Sequence, residues 1–295
     1  MNHFKLLLLF GIFAIILQVV PARADISRYA RGQGHLDLGV RILPSGTSYH
    51  EYGDFTLSFG EKAIRTEIGW FGMVGRQHET YGALTYSRGQ AKISIGFPRP
   101  AYDTFAPTKL IDTQPRDGLN YIWMSGSRVT FGVMTIDDYL PYGARYDGRV
   151  GDMDFAASIH AVTGSDEVIV GLGAGLERND WVLNAGLEVT ELGGYFSTNA
   201  KMMAERQFAG FSVGGAYFHP DANGKSDHFE GYATFEPARD VELSTVAIFP
   251  LSGADQASFG ASMQVQIGHG LALRASAISP MGLRDTAGLA LRWSF

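Results

Sequence analysis

Apolar and polar residues alternate along most of this chain, a pattern that predicts β-strands with one apolar and one polar face. The segment HLDLGVRI places Leu36, Leu38 and Val40 on one face and Asp37 and Arg41 on the other. The segments DFTLSFG, AKISIGF, WVLNAGLEV and VELSTVAIF repeat the alternation. The chain is therefore expected to be all-β.

Turn residues separate these runs at regular intervals. Short pairs that suit β-hairpins join neighbouring runs at Glu61-Lys62, Gly89-Gln90, Asn179-Asp180, Ala209-Gly210 and His269-Gly270. Longer connections, among them LPSGTSYHE, GGYFSTNA and HPDANGKSDH, are expected at the opposite ends of the runs. The pattern predicts about sixteen strands, an even number that a closed antiparallel barrel in one chain requires.

The connection at residues 98–139 is several times longer than an ordinary loop. Its first part, PRPAYDTFAPTKLIDTQPRDG, is rich in Pro and Asp, which excludes a central strand. Its second part, LNYIWMSGSRVTFGVMTID, has the pattern of a hairpin. If that hairpin joins the wall, the barrel has eighteen strands. If it lies inside the barrel, the count stays at sixteen.

The N-terminus predicts export from the cytoplasm. A basic start, MNHFK, precedes an apolar run over residues 6–20, and Ala22-Arg23-Ala24 follows with the spacing of a cleavage site. The run is short for a membrane-spanning helix. Residues 1–24 are therefore expected to be a signal peptide, and residues 25–295 the mature barrel.

Composition narrows the class of protein further. The chain has no Cys, its 37 Gly and its 32 Tyr and Phe residues suit β-structure, and the mature part carries 22 basic against 30 acidic residues. This negative charge argues against a nucleic-acid partner. A secreted β-sandwich would also alternate. The large strand number, the charged polar face and the aromatics near strand ends, such as Trp70 and Trp181, favour a membrane barrel.

Motifs for catalysis or cofactor binding are weak. The glycines of GLGAGLE alternate within a strand, so they are expected to be small residues facing the lumen and not a nucleotide loop. Ser158 and His160 share a face but have no third orienting group nearby. The segment DANGKSD offers a weak calcium site at Asp221, Asn223 and Asp227, without EF-hand spacing. We expect no cofactor and no enzymatic activity.

The chain ends on GLALRWSF, which places Leu289, Leu291, Trp293 and Phe295 on one face of a final strand. With the signal peptide, this ending resembles the C-terminal strand of Gram-negative outer-membrane proteins. The resemblance implies insertion into outer-membrane lipid after recognition of the last strand by the barrel assembly machinery.

A narrower resemblance begins at the segment GQAKISIGFPRPAYDTF, which leads directly into the long third connection. It is similar to general diffusion porins of the alphaproteobacterial type. The resemblance implies a homotrimer of sixteen-stranded barrels whose third loop folds into the lumen and narrows it for small hydrophilic solutes. The chain departs from that family in its short outer loops and in the apolar second half of its third loop.

Fixed charges are expected to line the constriction. The long loop contributes Asp103, Asp112 and Asp117, and the wall contributes Arg41, Arg65 and Lys92. Acids outnumber bases on the inward face of the predicted strands, which favours weak cation selectivity. The alternatives are a substrate-specific channel and an outer-membrane barrel without a pore, either an enzyme or a structural protein.

Overall fold

The computed structural model describes residues 30–43, 46–61, 63–73, 78–110, 125–130, 139–224, 226–251, 257–280 and 285–295. The predicted signal peptide, residues 1–24, lies outside this part of the chain. Among the described residues, none of the helical segments has the length and hydropathy of a membrane-spanning helix.

The described residues form sixteen antiparallel strands. They are β1 (Ala30–Leu43), β2 (Gly46–Glu61), β3 (Ile64–Met73), β4 (His78–Arg88), β5 (Ala91–Phe97), β6 (Pro141–Val150), β7 (Met153–Val162), β8 (Val168–Arg178), β9 (Trp181–Leu192), β10 (Tyr195–Phe208), β11 (Phe211–Pro220), β12 (His228–Ala238), β13 (Val241–Pro250), β14 (Ser258–Gly268), β15 (Leu271–Pro280) and β16 (Thr286–Ser294). The described residues also include a short helix, α1 (Ala101–Thr104), and a 3-10 turn (Asp221–Asn223).

The strands close into a single barrel. Each strand pairs with its neighbour in sequence, and β1 pairs with β16 in a register that sets Leu36 opposite Trp293 and Asp37 opposite Arg292. Strand β5 pairs directly with β6, so no strand lies between these two in the wall. The prediction of a sixteen-stranded closed barrel is confirmed, and the eighteen-stranded alternative is wrong.

Alternation along each strand sorts the side chains into an outer and an inner face. Leu38, Leu289 and Leu291 lie on the outside and are exposed. Facing inward, Asp37 is fully buried and accepts two hydrogen bonds of 2.8 Å from the Arg292 guanidinium. An apolar exterior and a charged interior reverse the arrangement of a soluble domain, in which apolar side chains fill the core.

The two ends of the barrel differ. Short turns join strands at one end, here called the turn end, and include Gly89-Gln90 and Asn179-Asp180 as predicted. The opposite end, here called the loop end, carries the long connection and the predicted loop between β11 and β12.

Two predicted long loops at the loop end are wrong. Strand β2 already begins at Gly46, and β10 begins at Tyr195. Gly193 and Gly194 have φ of 59° and 86°, so two residues suffice to join β9 to β10 in a tight hairpin. The alternating residues that follow therefore continue as strand.

The parts of the connection between β5 and β6 that the structure describes run inside the barrel, as predicted. Its described parts, residues 98–110 and 125–130, are here called the inner loop. Ala106 and Leu110 are fully buried and belong to one apolar cluster with Phe218 and Ile248 of the wall. Residues 125–130 form helical turns with no strand among them, which differs from the predicted hairpin.

The last residue completes the seam between β1 and β16. The backbone of Phe295 exchanges two hydrogen bonds of 3.1 Å with Gly34. Its ring lies 6.1 Å from the Phe55 ring and 4.8 Å from the Trp293 ring, and it covers Gly32. The chain therefore ends on an anchored residue, because the terminal strand has partners on both sides.

Replacing Phe295 should weaken the seam. We expect Phe295→Asp to lower the free energy of unfolding by about 1–2 kcal/mol, because the variant loses the aromatic contacts and covers less apolar surface. Urea titration in detergent, read as loss of the compact band on an unboiled gel, measures the change. Ser294→Asp is the matched control, since position 294 faces inward. Equal stability of the two variants would contradict the assignment.

Candidate functional site

The inner loop rests on a glycine floor, defined as Gly171, Gly173 and Gly175 of β8 with Gly186 of β9. A Cβ atom at Gly173 would lie 2.3 Å from the Phe105 ring, and one at Gly186 would lie 3.1 Å from the Tyr102 ring. The glycines of GLGAGLE therefore face the lumen, as predicted. Their role is to make room for α1 against the wall.

Ser158 and His160 hold the start of the inner loop. The backbone N–H of Ala101 donates a 2.9 Å hydrogen bond to Ser158 Oγ, and His160 Nε2 lies 3.0 Å from the Pro98 carbonyl oxygen. Both side chains are buried. The arrangement gives these two residues a positioning role on the loop backbone.

A first wall glutamate grips the second half of the inner loop. Glu188 is fully buried and accepts hydrogen bonds from the Ser127 hydroxyl and from the Arg128 backbone N–H, the latter at 2.7 Å. Asn199 Nδ2 donates a third bond at 2.9 Å. A buried carboxylate is tolerated here because three donors replace its water.

A second wall glutamate grips the first half in the same way. Glu230 is also fully buried and accepts hydrogen bonds from the Thr108 hydroxyl and from the Lys109 backbone N–H, the latter at 2.8 Å. Leu110, the next residue, enters the apolar cluster of the wall. The two glutamate sites are here called the loop clamps.

Each clamp extends to a second wall acid through the cation that follows the hydroxyl residue. Arg128 Nε lies 2.9 Å from Glu167, and Lys109 Nζ lies 3.6 Å from Glu205. Sequence reasoning did not predict these two contacts. The available signal was a Ser/Thr residue followed by a basic residue, which occurs once in each half of the loop.

Asp103 joins the two halves of the inner loop. Its carboxylate accepts a 2.6 Å hydrogen bond from the Ser127 backbone N–H and another from the Thr130 hydroxyl. Lys92, one of the three predicted wall cations, pairs with Glu67 of the wall instead. Asp112 and Asp117 lie outside the described residues.

Arg99 ties the base of the inner loop to β2. Its guanidinium lies 3.1 Å from Asp54 and 4.9 Å from the centre of the Phe71 ring. Arg145 Nη1 donates to the Arg99 and Pro100 carbonyl oxygens at 2.9 and 3.3 Å. Ion pairs and hydrogen bonds of Arg99 and Arg145 therefore hold the long connection where it leaves the wall. Sequence reasoning did not predict these contacts.

A cavity of about 380 Å³, here called the basic cavity, lies in the lumen beside this base, and the charged residues of its lining are mainly cationic. Arg65 and Lys92 meet here with three further cationic residues, Arg31, Arg99 and Arg145, and with Glu67. Lys92 pairs with Glu67 at 3.3 Å, whereas Arg31 and Arg65 have no ion-pair partner among the described residues. The predicted wall residue Arg41 sits opposite Ser48 near the loop end and does not line this cavity.

A second cavity, of about 310 Å³, lies in the lumen on the opposite side of the inner loop. Its charged lining is mixed and consists of Lys109, Glu205, Glu242, Arg274 and Arg292. Water-accessible space therefore flanks the loop on two sides, with a basic lining on one side and a balanced lining on the other.

The predicted calcium residues bond to other groups. Asp227 accepts hydrogen bonds from the Tyr217 hydroxyl at 2.5 Å and from His219 Nδ1 at 2.6 Å, and these bonds lower the pKa of its carboxyl group. Asn223 Nδ2 donates to the Gly126 carbonyl, and Asp221 accepts from the Thr198 backbone N–H. The described residues include no group of three His, Asp or Glu side chains arranged for a metal ion. Calcium binding at this loop stays a prediction.

Comparison with known proteins identifies the fold. No protein-family model and no curated protein matches the chain. A variant of Rh. blastica porin aligns over 90% of this chain and 100% of its own, with a TM-score of 0.70 and 12% identity. A triple mutant of Rhodopseudomonas blastica porin aligns over the same shares, with a TM-score of 0.68 and 13% identity. The chain has the porin fold, which confirms the architecture expected from the sequence.

The first loop clamp can be tested by removing its acceptor. In Glu188→Ala, amide hydrogen exchange of residues 125–130 should accelerate about a hundredfold, since two charge-assisted bonds to the loop contribute about 3 kcal/mol together. Exchange mass spectrometry of the peptide covering this segment measures the effect.

Two companion variants isolate the cause. Glu188→Gln keeps an acceptor and should accelerate exchange less, while Glu177→Ala removes an exposed inward glutamate and should leave the segment unchanged. Exchange in the strands reports whether each barrel has folded. Unaltered exchange at 125–130 in a folded Glu188→Ala barrel would show that the clamp does not hold the loop.

Proposed function

We propose that this protein is a passive, water-filled pore of the bacterial outer membrane, through which small hydrophilic solutes and ions diffuse. The observation that carries the proposal is the closed barrel with an apolar exterior and a charged interior. Closure pairs the strand edges, which a bilayer requires because it offers no water to unpaired backbone groups. A sixteen-stranded barrel is wide enough for an aqueous channel.

The two ends of the barrel suggest its orientation. Outer-membrane barrels have short periplasmic turns and longer external loops, so the turn end faces the periplasm in this proposal. The outward row of Leu289, Leu291, Trp293 and Phe295 then closes the barrel at the periplasmic side, where the barrel assembly machinery would bind it. Export by the predicted signal peptide and assembly into a homotrimer complete the proposed route.

The inner loop supports size selection. Two loop clamps, the glycine floor and Arg99 hold it at the wall, so the space that it takes from the lumen does not fluctuate freely. The proposed constriction is the space between this loop and the wall at the basic cavity, where the wall contributes Arg65 and Lys92. Asp103 contributes by joining the halves of the loop, and Asp112 and Asp117 remain expected loop acids.

We further propose that ion selectivity is weak and favours cations. Acids exceed bases on the inward face, but the loop clamps engage Glu188 and Glu230, and the basic cavity opposes the remaining excess. Rings of carboxylates attract cations, and salt screens their field. The preference for cations over anions therefore depends on the small difference between the acidic and basic charges that face the lumen.

The basic cavity supports a second candidate, a substrate-specific channel for anionic solutes. Arg31 and Arg65 face the same cavity without acidic partners among the described residues, and guanidinium groups bind carboxylates and phosphates through paired hydrogen bonds. The porin fold itself points to a channel and not to an enzyme.

Pore formation has a direct test. Purified protein added to a planar bilayer should produce stepwise conductance increases that grow in proportion to salt concentration, because an aqueous lumen conducts like bulk electrolyte. The folded Glu188→Ala barrel should show noisier open levels. A mock purification supplies the control. Folded, inserted barrels that never conduct would favour a barrel without a pore.

Selectivity is measured by the reversal potential across a KCl gradient. We expect a small cation preference near 0.01 M salt, where the Debye length is about 30 Å, and almost none at 1 M, where it is about 3 Å. Arg31→Gln with Arg65→Gln should increase the cation preference, whereas Arg88→Gln on the outer face should not. Anion preference in the native protein would assign selectivity to the basic cavity and support the substrate-specific candidate.

A further inference from the structure

Three outward-facing residues form a lateral row at the turn end of the barrel. The register places Arg178 of β8 opposite Trp181 of β9, and places Trp181 opposite Arg206 of β10. Opposed residues in a sheet point to the same face, and the row shares its face with exposed Leu183. Two arginines therefore flank one tryptophan on the outer surface.

Aromatic rings hold one of these guanidinium groups in place. The Arg206 guanidinium carbon lies 5.7 Å from the centre of the Trp181 ring and 4.8 Å from that of Phe208. Phe208 in turn stacks on Phe211 with ring centres 4.3 Å apart. A guanidinium group that stacks through its face keeps its N–H edge available for an anion.

The two arginines lack a counter-charge within the protein. Neither Arg178 nor Arg206 forms an ion pair with any described residue, whereas the inward-facing Arg145 and Arg292 each pair with an aspartate. The adjacent turn residue Asp180 contacts β10 through its backbone, because its carbonyl oxygen accepts a hydrogen bond from the Gln207 backbone N–H. Two uncompensated cations on a protein of net negative charge call for an external anion.

The surface next to the row is apolar. Toward the middle of the barrel, the outer face continues through Leu183, Met202 and Val213, which are all exposed. A ligand that covers both parts must join an anionic head to an apolar tail. Free phosphate would satisfy the arginines and leave the apolar part bare.

We propose that Arg178 and Arg206 bind the phosphate of an anionic phospholipid in the periplasmic leaflet, with its acyl chains over Leu183 and Val213. The proposal rests on the proposed membrane placement of the barrel. Arginine forms paired hydrogen bonds with phosphate oxygens, and an indole ring is favoured at the level of the head groups. Basic residues near a membrane surface attract anionic lipid more strongly than zwitterionic lipid.

Quenching of Trp181 fluorescence tests this binding. A single-tryptophan protein, made by Trp70→Phe, Trp123→Phe and Trp293→Phe, is placed in phosphatidylcholine vesicles that contain brominated phosphatidylglycerol or brominated phosphatidylcholine. We expect a roughly thirtyfold preference for the brominated phosphatidylglycerol, as about 1 kcal/mol from each of the two arginines implies. Arg178→Gln with Arg206→Gln should reduce this preference to near unity.

Arg88→Gln is the matched control, because Arg88 ends β4 at the same end of the barrel and has no tryptophan beside it. It should keep the preference. Equal quenching by the two lipids in the native background, or a preference that survives the double substitution, would overturn the proposal. Loss of the preference on adding inorganic phosphate at the ionic strength of a chloride control would identify a free-phosphate site and overturn the lipid assignment.

Conductance of the same vesicle preparation separates the two proposals. If the lipid preference is present and no pore forms, the proposed function fails and the lipid site stands. If the pore conducts and the lipid preference is absent, the lipid site fails alone.

Discussion

Pairing between the first and the last strand is the constraint on which the rest of this structure depends. It removes both free edges of a sheet in which every strand is otherwise paired with its neighbour in sequence. Closure also gives each strand an unambiguous inner and outer face. The buried Asp37–Arg292 pair lies across this seam, so the electrostatics of the lumen contribute to the same closure that the backbone completes. Phe295 extends the pairing to the end of the chain.

The inner loop solves a different problem, because a polar segment inside a barrel must have its backbone groups satisfied without a sheet. The wall supplies Glu188 and Glu230 as acceptors, and each one binds a hydroxyl together with the next backbone N–H. A second acid then neutralises the cation that follows. The same chemistry, used twice, fixes both halves of the loop, while Leu110 and Val129 pack into apolar clusters with residues of the wall.

The strands were predictable because their signal is local. Each run carries its own period of two, and the turn residues mark the ends, so the barrel and its inward charges follow from neighbouring letters. The loop predicted at GGYFSTNA was too long because Gly193-Gly194 can turn the chain in two residues. The clamps were not predictable in the same way, since Ser127 and Glu188 are distant in sequence and nothing local pairs them. The glycines of β8 were assigned to the correct face, but their contact with α1 depends on tertiary packing.

The glycine floor makes the wall and the inner loop complementary in shape. At Gly173 and Gly186 the wall has no side chain, and the rings of Phe105 and Tyr102 occupy the space that a side chain would fill. The absence of side chains therefore shapes the lumen as much as the side chains that are present. A loop from another barrel would not fill the space above these glycines in the same way. Conversely, this loop would clash with a wall that carries larger side chains at these positions. Strands β8 and β9 and the segment around α1 therefore form one packing unit and would have to be exchanged between barrels together, although about seventy residues of chain separate Phe105 from Gly173.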